Sequence, residues 1–352
     1  MADLVKPVTI VIPSLHRPDL VANCLRFIAA QQVPGDFYDV VVVENQARSD
    51  SVLTGPLPAN VRQILLEENY GTTGSINRAL AVTSSNYVLI LNNDVELEPC
   101  YLAVLTAALE ADPQAAFAIG KLRCATDKAR LDGAGDAILQ GGGSYRLGHY
   151  DLDTGQFDQP ARVLCACGAA VLFRRTVLDQ AGGLDEKFFA YLDDVDLALR
   201  AHLLGYRGLY VPDAVAYHIG SATLGNKLHP KIVRLLTRNQ LLVYAKDYPA
   251  GVLLRVLPQA LVFQLLWFVL AIRSRGLVPY LGGIFEAISL LPGMLQKRHA
   301  MMRQRRIGND EFLDLLRRSE RAIFDWHSRQ PDESRSLLLR IYFGLFRPAG
   351  RR

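Results

Sequence analysis

Several features that declare a function outright are missing from this sequence. Its five cysteines (Cys24, Cys100, Cys124, Cys165 and Cys167) have neither metal-ligand nor redox spacing, which sets aside zinc-finger and thioredoxin-type chemistry. Their odd number, with no secretory signal ahead of the first strand, fits a reducing cytoplasm and not a disulfide framework. Neither a G-x-x-x-x-G-K-[ST] run nor a G-x-G-x-x-G run is present, so the two common phosphate-binding fingerprints are excluded. Charge of one sign is also lacking: 39 Lys and Arg face 35 Asp and Glu, and no base-reading motif accompanies them, so nucleic acid is not the expected partner. No internal repeat or low-complexity linker divides the chain. A clean bilayer-spanning run is absent as well. The apolar stretches 256–272 and 277–295 are at or below the roughly 20 residues a span requires, and both are interrupted, by Pro258, Gln259 and Gln264 and by Pro279, Glu286 and Pro292.

Half of the 352 residues are hydrophobic, enough for one large or two ordinary packed domains. Short β-branched runs at 8–12, 40–43, 61–66 and 87–91 alternate with helical patterns opening near Pro18 and Ser75. Each run ends in polar residues, such as Glu44-Asn45 and Asn92-Asn93-Asp94. This alternation predicts an α/β fold with a mostly parallel central sheet flanked by helices, and such sheets bind ligands at the carboxyl ends of their strands. Farther on, the spacing predicts strands over 117–122 and over 163–173, the latter broken by Gly168 and carrying Cys165 and Cys167 in its core. A loop is predicted over the glycine-rich 133–148, two strand-like runs before His218, and a helix from about 229 to 247.

The densest cluster of acids is Asp193, Asp194 and Asp196, preceded by aromatic residues and followed by Leu197, Leu199 and Arg200. Two readings stand side by side. Asp193 or Asp194 caps a helix while Asp196 pairs with Arg200 four residues on, or the acids carry chemistry. Asp94, a hard oxygen ligand at a strand end, suits Mg²⁺ or Mn²⁺ carrying a diphosphate, with Glu96 pointing to the same side. His218, at the end of another strand, is a candidate to complete that metal site. Gly71 and Gly74 before a helix allow backbone N–H groups to approach phosphate, with Arg78 adding charge; the alternative is an ordinary strand–helix turn.

Together these stretches resemble the family 2 inverting glycosyltransferases of GT-A fold, especially their rhamnosyltransferase-like branch. The resemblance rests on 8–18, 40–50, 68–80, 87–99 and, most specifically, 168–223, and it covers about residues 8–247. It implies a catalytic domain over 1–247, with a nucleotide-binding half to about 115 and an acceptor half over 116–247. Pro13 and Glu44 would line the base pocket, with Glu44 where the family usually has Asp. Asn69, Gly74 and Asn77 would lie near the ribose and diphosphate. The D-x-D motif falls on Asn92, Asn93 and Asp94, leaving Asp94 as metal ligand with His218. Asp194 corresponds to the catalytic base, an ordinary carboxylate already ionised at neutral pH, with Asp193 in place of the usual Glu before it. Gly168, Asp193, Asp196 and Arg238 would serve the acceptor side or support the base.

The implied reaction moves a sugar from a nucleotide donor to a polysaccharide or lipid-linked saccharide, with Mn²⁺ or Mg²⁺ assisting. dTDP-rhamnose is the first donor choice. A UDP-galactofuranose or UDP-hexose transferase, or a non-catalytic nucleotide-sugar-binding protein, is the alternative. From residue 296 onward, 14 Lys and Arg outnumber 7 Asp and Glu. Such a basic tail behind apolar helices is expected to meet the inner membrane at its cytoplasmic face. A bilayer span and a helical cap on the catalytic domain remain the other readings of 248–352. The oligomeric state is not legible.

Overall fold

A computed structural model describes residues 7–54, 56–220 and 229–348; residues 221–223 of the resemblance therefore lie outside the described residues. In chain order the elements are β1 (Val8–Ser14), α1 (Pro18–Ala29), β2 (Tyr38–Glu44), β3 (Val61–Leu65), α2 (Gly71–Leu80), β4 (Tyr87–Leu91), β5 (Val95–Leu97), α3 (Tyr101–Ala111) and β6 (Ala115–Cys124). There follow β7 (Leu131–Gly133), β8 (Asp136–Ile138), β9 (Ser144–Arg146), β10 (Ala161–Val163), β11 (Ala170–Arg174), α4 (Arg175–Ala181), α5 (Asp193–Leu203) and β12 (Arg207–His218). The remainder is helical: α6 (Pro230–Asp247), α7 (Ala250–Arg255), α8 (Leu257–Arg273), α9 (Leu277–Gln304), α10 (Asn309–Arg329) and α11 (Leu337–Leu345).

One mixed sheet runs β10-β12-β6-β11-β4-β1-β2-β3. Strands β4, β1, β2 and β3 are mutually parallel; the first three are nearly continuous buried apolar runs, while β3 is a partly exposed edge strand. β11 enters antiparallel between β4 and β6, while β12 runs parallel to β6. This insertion brings the end of β4 beside the segment preceding β11: Asn92 N donates to Ala169 O at 2.8 Å.

Three expectations need correction. The glycine-rich 133–148 stretch is not simply a loop but carries β8 and β9, with β7 at its entrance; strands of three residues are too short to register a period of two. The apolar run over 163–173 is two strands, and Cys165 and Cys167 are buried in the irregular segment between them. The two strand-like runs before His218 are one strand whose pairing with β6 shifts register between Val211 and Val215.

The C-terminal helices share a core with the sheet domain. Val256, Ala260, Ala287, Met294 and Phe312 pack in the same buried cluster as Val171, Phe173 and Leu197. Gly283 lets α9 lie directly on α6, since a Cβ there would come within 2.5 Å of Arg234 O. A buried ionic network completes the attachment. Asp196 accepts from Arg200 Nη2 and from Lys246 Nζ, each at 2.5 Å; Lys246 also reaches Asp185 at 2.9 Å, and Lys297 of α9 reaches Asp185 at 2.6 Å. Removing one partner from such a network leaves a buried charge uncompensated. Lys246→Met is therefore expected to cost about 3–5 kcal/mol in urea-unfolding free energy, whereas a loss below about 1 kcal/mol, the worth of an exposed pair, would show that the network is not an anchor.

Candidate active site

Asp194 lies in the first turn of α5, half-buried, with both carboxylate oxygens held. Gly168 N donates to Oδ2 at 2.9 Å and Val195 N to Oδ1 at 2.8 Å. The approach at Gly168 is close: a Cβ there would stand 3.0 Å from Oδ2, so the carboxylate would have to shift to admit one. Since Asn92 is bonded to Ala169, the β4 end and Asp194 meet through two adjacent residues. Burial and the neighbouring Asp193 raise the Asp194 pKa to about 7 against the pull of the two N–H donors and Arg146. The expected ordinary carboxylate is thus corrected to one poised near neutrality, because its surroundings are drier than a helix start on the surface. Asp193 is buried too, and burial raises its pKa to about 6. Neither acid caps the helix: the N-cap is Leu192.

The segment leading into Asp194 is strained. Phe189, Tyr191 and Leu192 have φ of 66°, 68° and 60°, a left-handed conformation that costs a residue with a side chain about 1–2 kcal/mol. α6 and α2 hold it there. Asn239 Nδ2 lies within hydrogen-bond reach of the carbonyls of Phe188, Ala190 and Tyr191, at 3.0, 2.9 and 2.7 Å. Arg238 donates to Phe188 O at 2.7 Å, so Arg238 supports the loop. Thr73 N of α2 donates to Phe189 O at 3.3 Å, and Gly71, at φ 70°, leaves space that a Cβ would deny, only 2.2 Å from that oxygen.

This contact narrows what the α2 turn can offer a phosphate. The helix begins at Gly71 and not near Ser75, and two of its leading amides are taken, Gly71 N by Asn69 Oδ1 at 2.9 Å and Thr73 N by Phe189 O. Asn77, expected at the donor, instead brackets the backbone of Leu184, donating at 2.8 Å and accepting at 3.0 Å. Arg78 stacks 3.7 Å over the Tyr70 ring and reaches Glu186 at 3.3 Å; Gly74 lies inside the helix against Tyr70 and Arg78. Asp196 is fully buried and cannot touch a sugar. Glu96 does not join Asp94 but accepts from Asn23 at 3.0 Å.

At the other strand ends the expected residues do gather. His218 Nε2 lies 3.3 Å from Asp94 Oδ1, and its Nδ1 lies 2.8 Å from Asp132 Oδ2. Burial disfavours charge on His218, but the hydrogen bonds to Asp132 and Asp94 outweigh it and raise its pKa to about 9. Asp132 also binds Arg146 at 2.6 Å, and Arg146 reaches Asp136 at 3.4 Å. Burial lifts the Asp136 pKa to about 6 in spite of that cation. The sequence reading missed Asp132, Asp136 and Arg146, whose only signal was charge within a glycine-rich apolar stretch. Glu44 is buried at the end of β2; Oε1 accepts from His16 N at 2.6 Å, while Oε2 has no partner. Pro13 precedes Ser14, whose Oγ lies 3.4 Å from Asn93 Nδ2, so β1 and the β4 end are adjacent.

Among the described residues no group of three or more His, Cys, Asp and Glu is arranged around a metal. The pair Asp94 and His218 nevertheless suits one. Cis ligands of an octahedral ion at about 2.1 Å stand about 3 Å apart, close to the observed 3.3 Å. Mg²⁺ and Mn²⁺ take few protein ligands when a diphosphate and water supply the others. Asp132 then occupies the position of a carboxylate that orients a metal-binding imidazole. A separate cavity of about 450 Å³ borders Asp185, Arg200, Lys246 and Lys297 and contains none of these groups.

Residues 6–240 match the family described as Glycosyltransferase like family 2. The chain belongs to that family. It is 29% identical over 181 residues to the N-acetylglucosaminyl-diphospho-decaprenol L-rhamnosyltransferase of Mycobacterium tuberculosis, a match taking in 45% of this chain and 59% of that protein. It is 26% identical over 233 residues to an N-acetylglucosaminyltransferase of Rhizobium meliloti, over 62% of this chain and 52% of that one. The chain thus spans between half and three-fifths of these two relatives. Among solved structures, residues 1–349 of S. aureus TarS superpose with a TM-score of 0.52 at 14% identity, covering 91% of this chain and 92% of that one. GalNAc-T7, solved with UDP, GalNAc and Mn²⁺, superposes with a TM-score of 0.51 at 12% identity over 66% of this chain and 49% of that one. These likenesses establish the GT-A-type fold of the family 2 chain. If Asp132 orients His218, Asp132→Ala will weaken Mn²⁺ binding about 10- to 100-fold in calorimetric titrations with nucleoside diphosphate present; unchanged affinity would remove the orienting role.

Proposed function

We propose that this family 2 chain is an inverting glycosyltransferase that moves a sugar from a nucleotide-activated donor to a polysaccharide or lipid-linked saccharide at a membrane surface. The observation that carries this reading is Asp194, a carboxylate held by two backbone donors, poised near pH 7 and tied through Gly168 and Ala169 to the strand end bearing Asp94. A non-catalytic binding module would need no such acid. The rhamnosyltransferase among the relatives supports dTDP-rhamnose as donor ahead of UDP-galactofuranose or UDP-hexose. The unpaired Glu44 Oε2 suits a base that offers a ring N–H, as thymine and uracil both do.

In this reading the donor lies across the ends of β1, β2 and β4 with its base toward Glu44 and its diphosphate toward Asp94 and His218. Those two would hold a divalent cation, which when bound neutralises charge developing on the leaving diphosphate. Asp194 accepts the proton of the acceptor hydroxyl as that oxygen bonds to the anomeric carbon and the bond to the phosphate oxygen breaks on the opposite face. The Gly168 and Val195 amides keep the carboxylate aimed while it changes charge.

Membrane contact is supported by three exposed apolar stripes on adjoining helices. They are Leu257, Leu261, Leu265 and Val269 on α8; Val278, Leu281, Phe285 and Ile288 on α9; and Leu337, Ile341 and Leu345 on α11. Such a surface, flanked by Arg273, Arg275, Lys297 and Arg298, suits an anionic leaflet. α9 is long and apolar enough to cross a bilayer. Its Glu286 nonetheless pairs with Arg238 at 3.3 Å and its Lys297 with Asp185, so the helix is bound to the catalytic body at two points along its length, which favours lying on the membrane over spanning it.

Asp194→Asn is expected to lower turnover about 10²- to 10⁴-fold while nucleotide affinity is retained; a folded variant with normal turnover would refute the base assignment. The wild type works with Asp194 ionised, so kcat/KM should fall tenfold per unit as pH drops below about 7 and level off above it; a profile flat down to pH 5 would contradict the raised pKa. Phe285→Glu combined with Leu261→Glu should release the protein from phosphatidylglycerol vesicles in flotation assays, and undiminished flotation would reject this face as the contact.

A further inference from the structure

Between α6 and α9, where the apolar helices meet the catalytic loop, lies a cavity of about 220 Å³ lined by Phe189, Lys231, Arg234, Leu235, Arg238 and Glu286. Three cations face one carboxylate. Glu286 pairs with both Arg234 and Arg238, and Lys231 Nζ stands 5.1 Å over the Phe189 ring. Two positive charges thus remain uncompensated within the pocket. Glu286 is the one charged residue in the apolar part of α9, over 277–295, and it holds two guanidinium groups in place. The cavity is smaller than the roughly 300–1,000 Å³ of an ordinary small-molecule site, which suits a charged headgroup and not a whole sugar nucleotide. Its position is the second clue. Phe189 belongs to the strained loop that ends at Asp194, and the exposed Phe285 and Leu281 lie on the same helix as Glu286.

We infer that this pocket binds the phosphate or diphosphate of a polyprenyl-linked acceptor, placing its lipid tail along the exposed face of α9 and its sugar toward Asp194. The inference rests on the transferase reading and names its acceptor class: an isoprenoid chain, an anionic linkage and a saccharide, in that order from the membrane inward. Arg234, exposed at the pocket mouth, presents the planar donor fork that matches phosphate oxygens; Arg238, held by Asn239, Glu286 and Phe188, adds fixed charge behind it, and Lys231 adds a mobile point charge at the rim. The same chemistry could be supplied by an anionic phospholipid of the leaflet, so the test separates the two sources.

Farnesyl diphosphate and farnesol are titrated calorimetrically into the full chain in nonionic detergent with a chelator present, which removes any metal-dependent grip on the diphosphate at Asp94. The wild type should bind farnesyl diphosphate at least tenfold more tightly than farnesol. Lys231→Ala combined with Arg234→Ala should weaken farnesyl diphosphate about 30-fold and leave farnesol, nucleotide affinity with Mn²⁺ and Tm unchanged. Lys231→Arg with Arg234→Lys, which keeps the charge, should restore most of the binding. Equal affinity of the double alanine variant and the wild type for farnesyl diphosphate would overturn the proposal. So would a loss seen only with phosphatidylglycerol vesicles, which would assign the pocket to the bilayer. Failure of the wild type to bind any nucleotide would instead strike at the transferase reading, since the farnesyl diphosphate measurement needs no donor.

Discussion

The carboxylate of Asp196 sets the position of everything near the proposed base. It has no solvent exposure, and although burial opposes its charge, Arg200 and Lys246 hold its pKa below the ordinary range. Because Lys246 belongs to α6 and also binds Asp185, which in turn binds Lys297 of α9, one acid fixes α5 against two further helices. Such a network contributes little net stability over an apolar alternative, but its geometry is demanding. It determines where the first turn of α5 lies and hence where Asp194 points.

Two acids two positions apart on the first turn of α5 end with opposite fates. Asp196 is surrounded by cations and stays ionised; Asp194 has backbone amides, a like-charged neighbour and burial, and titrates near neutrality. Environments that push neighbouring carboxylates apart are the means by which one helix start would provide both an anchor and the proposed base. The left-handed residues before it are kept by Asn239, Arg238 and Thr73, so strain in the loop is balanced by hydrogen bonds from two other helices.

The C-terminal helices are part of the same body. Gly283 and Glu286 seat α9 on α6 while Phe285, 70% exposed, points away from the protein. A helix bound on one side and apolar on the other would, in the proposed arrangement, bring a membrane surface to the rim of the loop that carries Phe189. Substrate delivery and catalysis would then share α6, whose Arg234 meets the pocket and whose Asn239 meets the loop.

Much of the sheet was legible because its strands are buried on both faces and read as continuous apolar runs, and because Asp94, His218 and Asp194 sit at ends of elements where polarity changes abruptly. Asn77, expected at the donor, meets the backbone of Leu184 instead: a polar side chain near a site looks the same in sequence whether it meets a ligand or a backbone carbonyl. Asp132 and Arg146 were not seen at all, since their three-residue strands leave no period and their partner His218 is 86 residues away in the chain. By itself, then, the sequence determined the family, the strand order along the chain and the acids available for chemistry, because local polarity and burial pattern are written in neighbouring residues. Only the tertiary structure decided how differently the three acids are held, Asp196 among cations and Asp194 between backbone amides, because a carboxylate's pKa depends on which cations and amides distant segments bring against it.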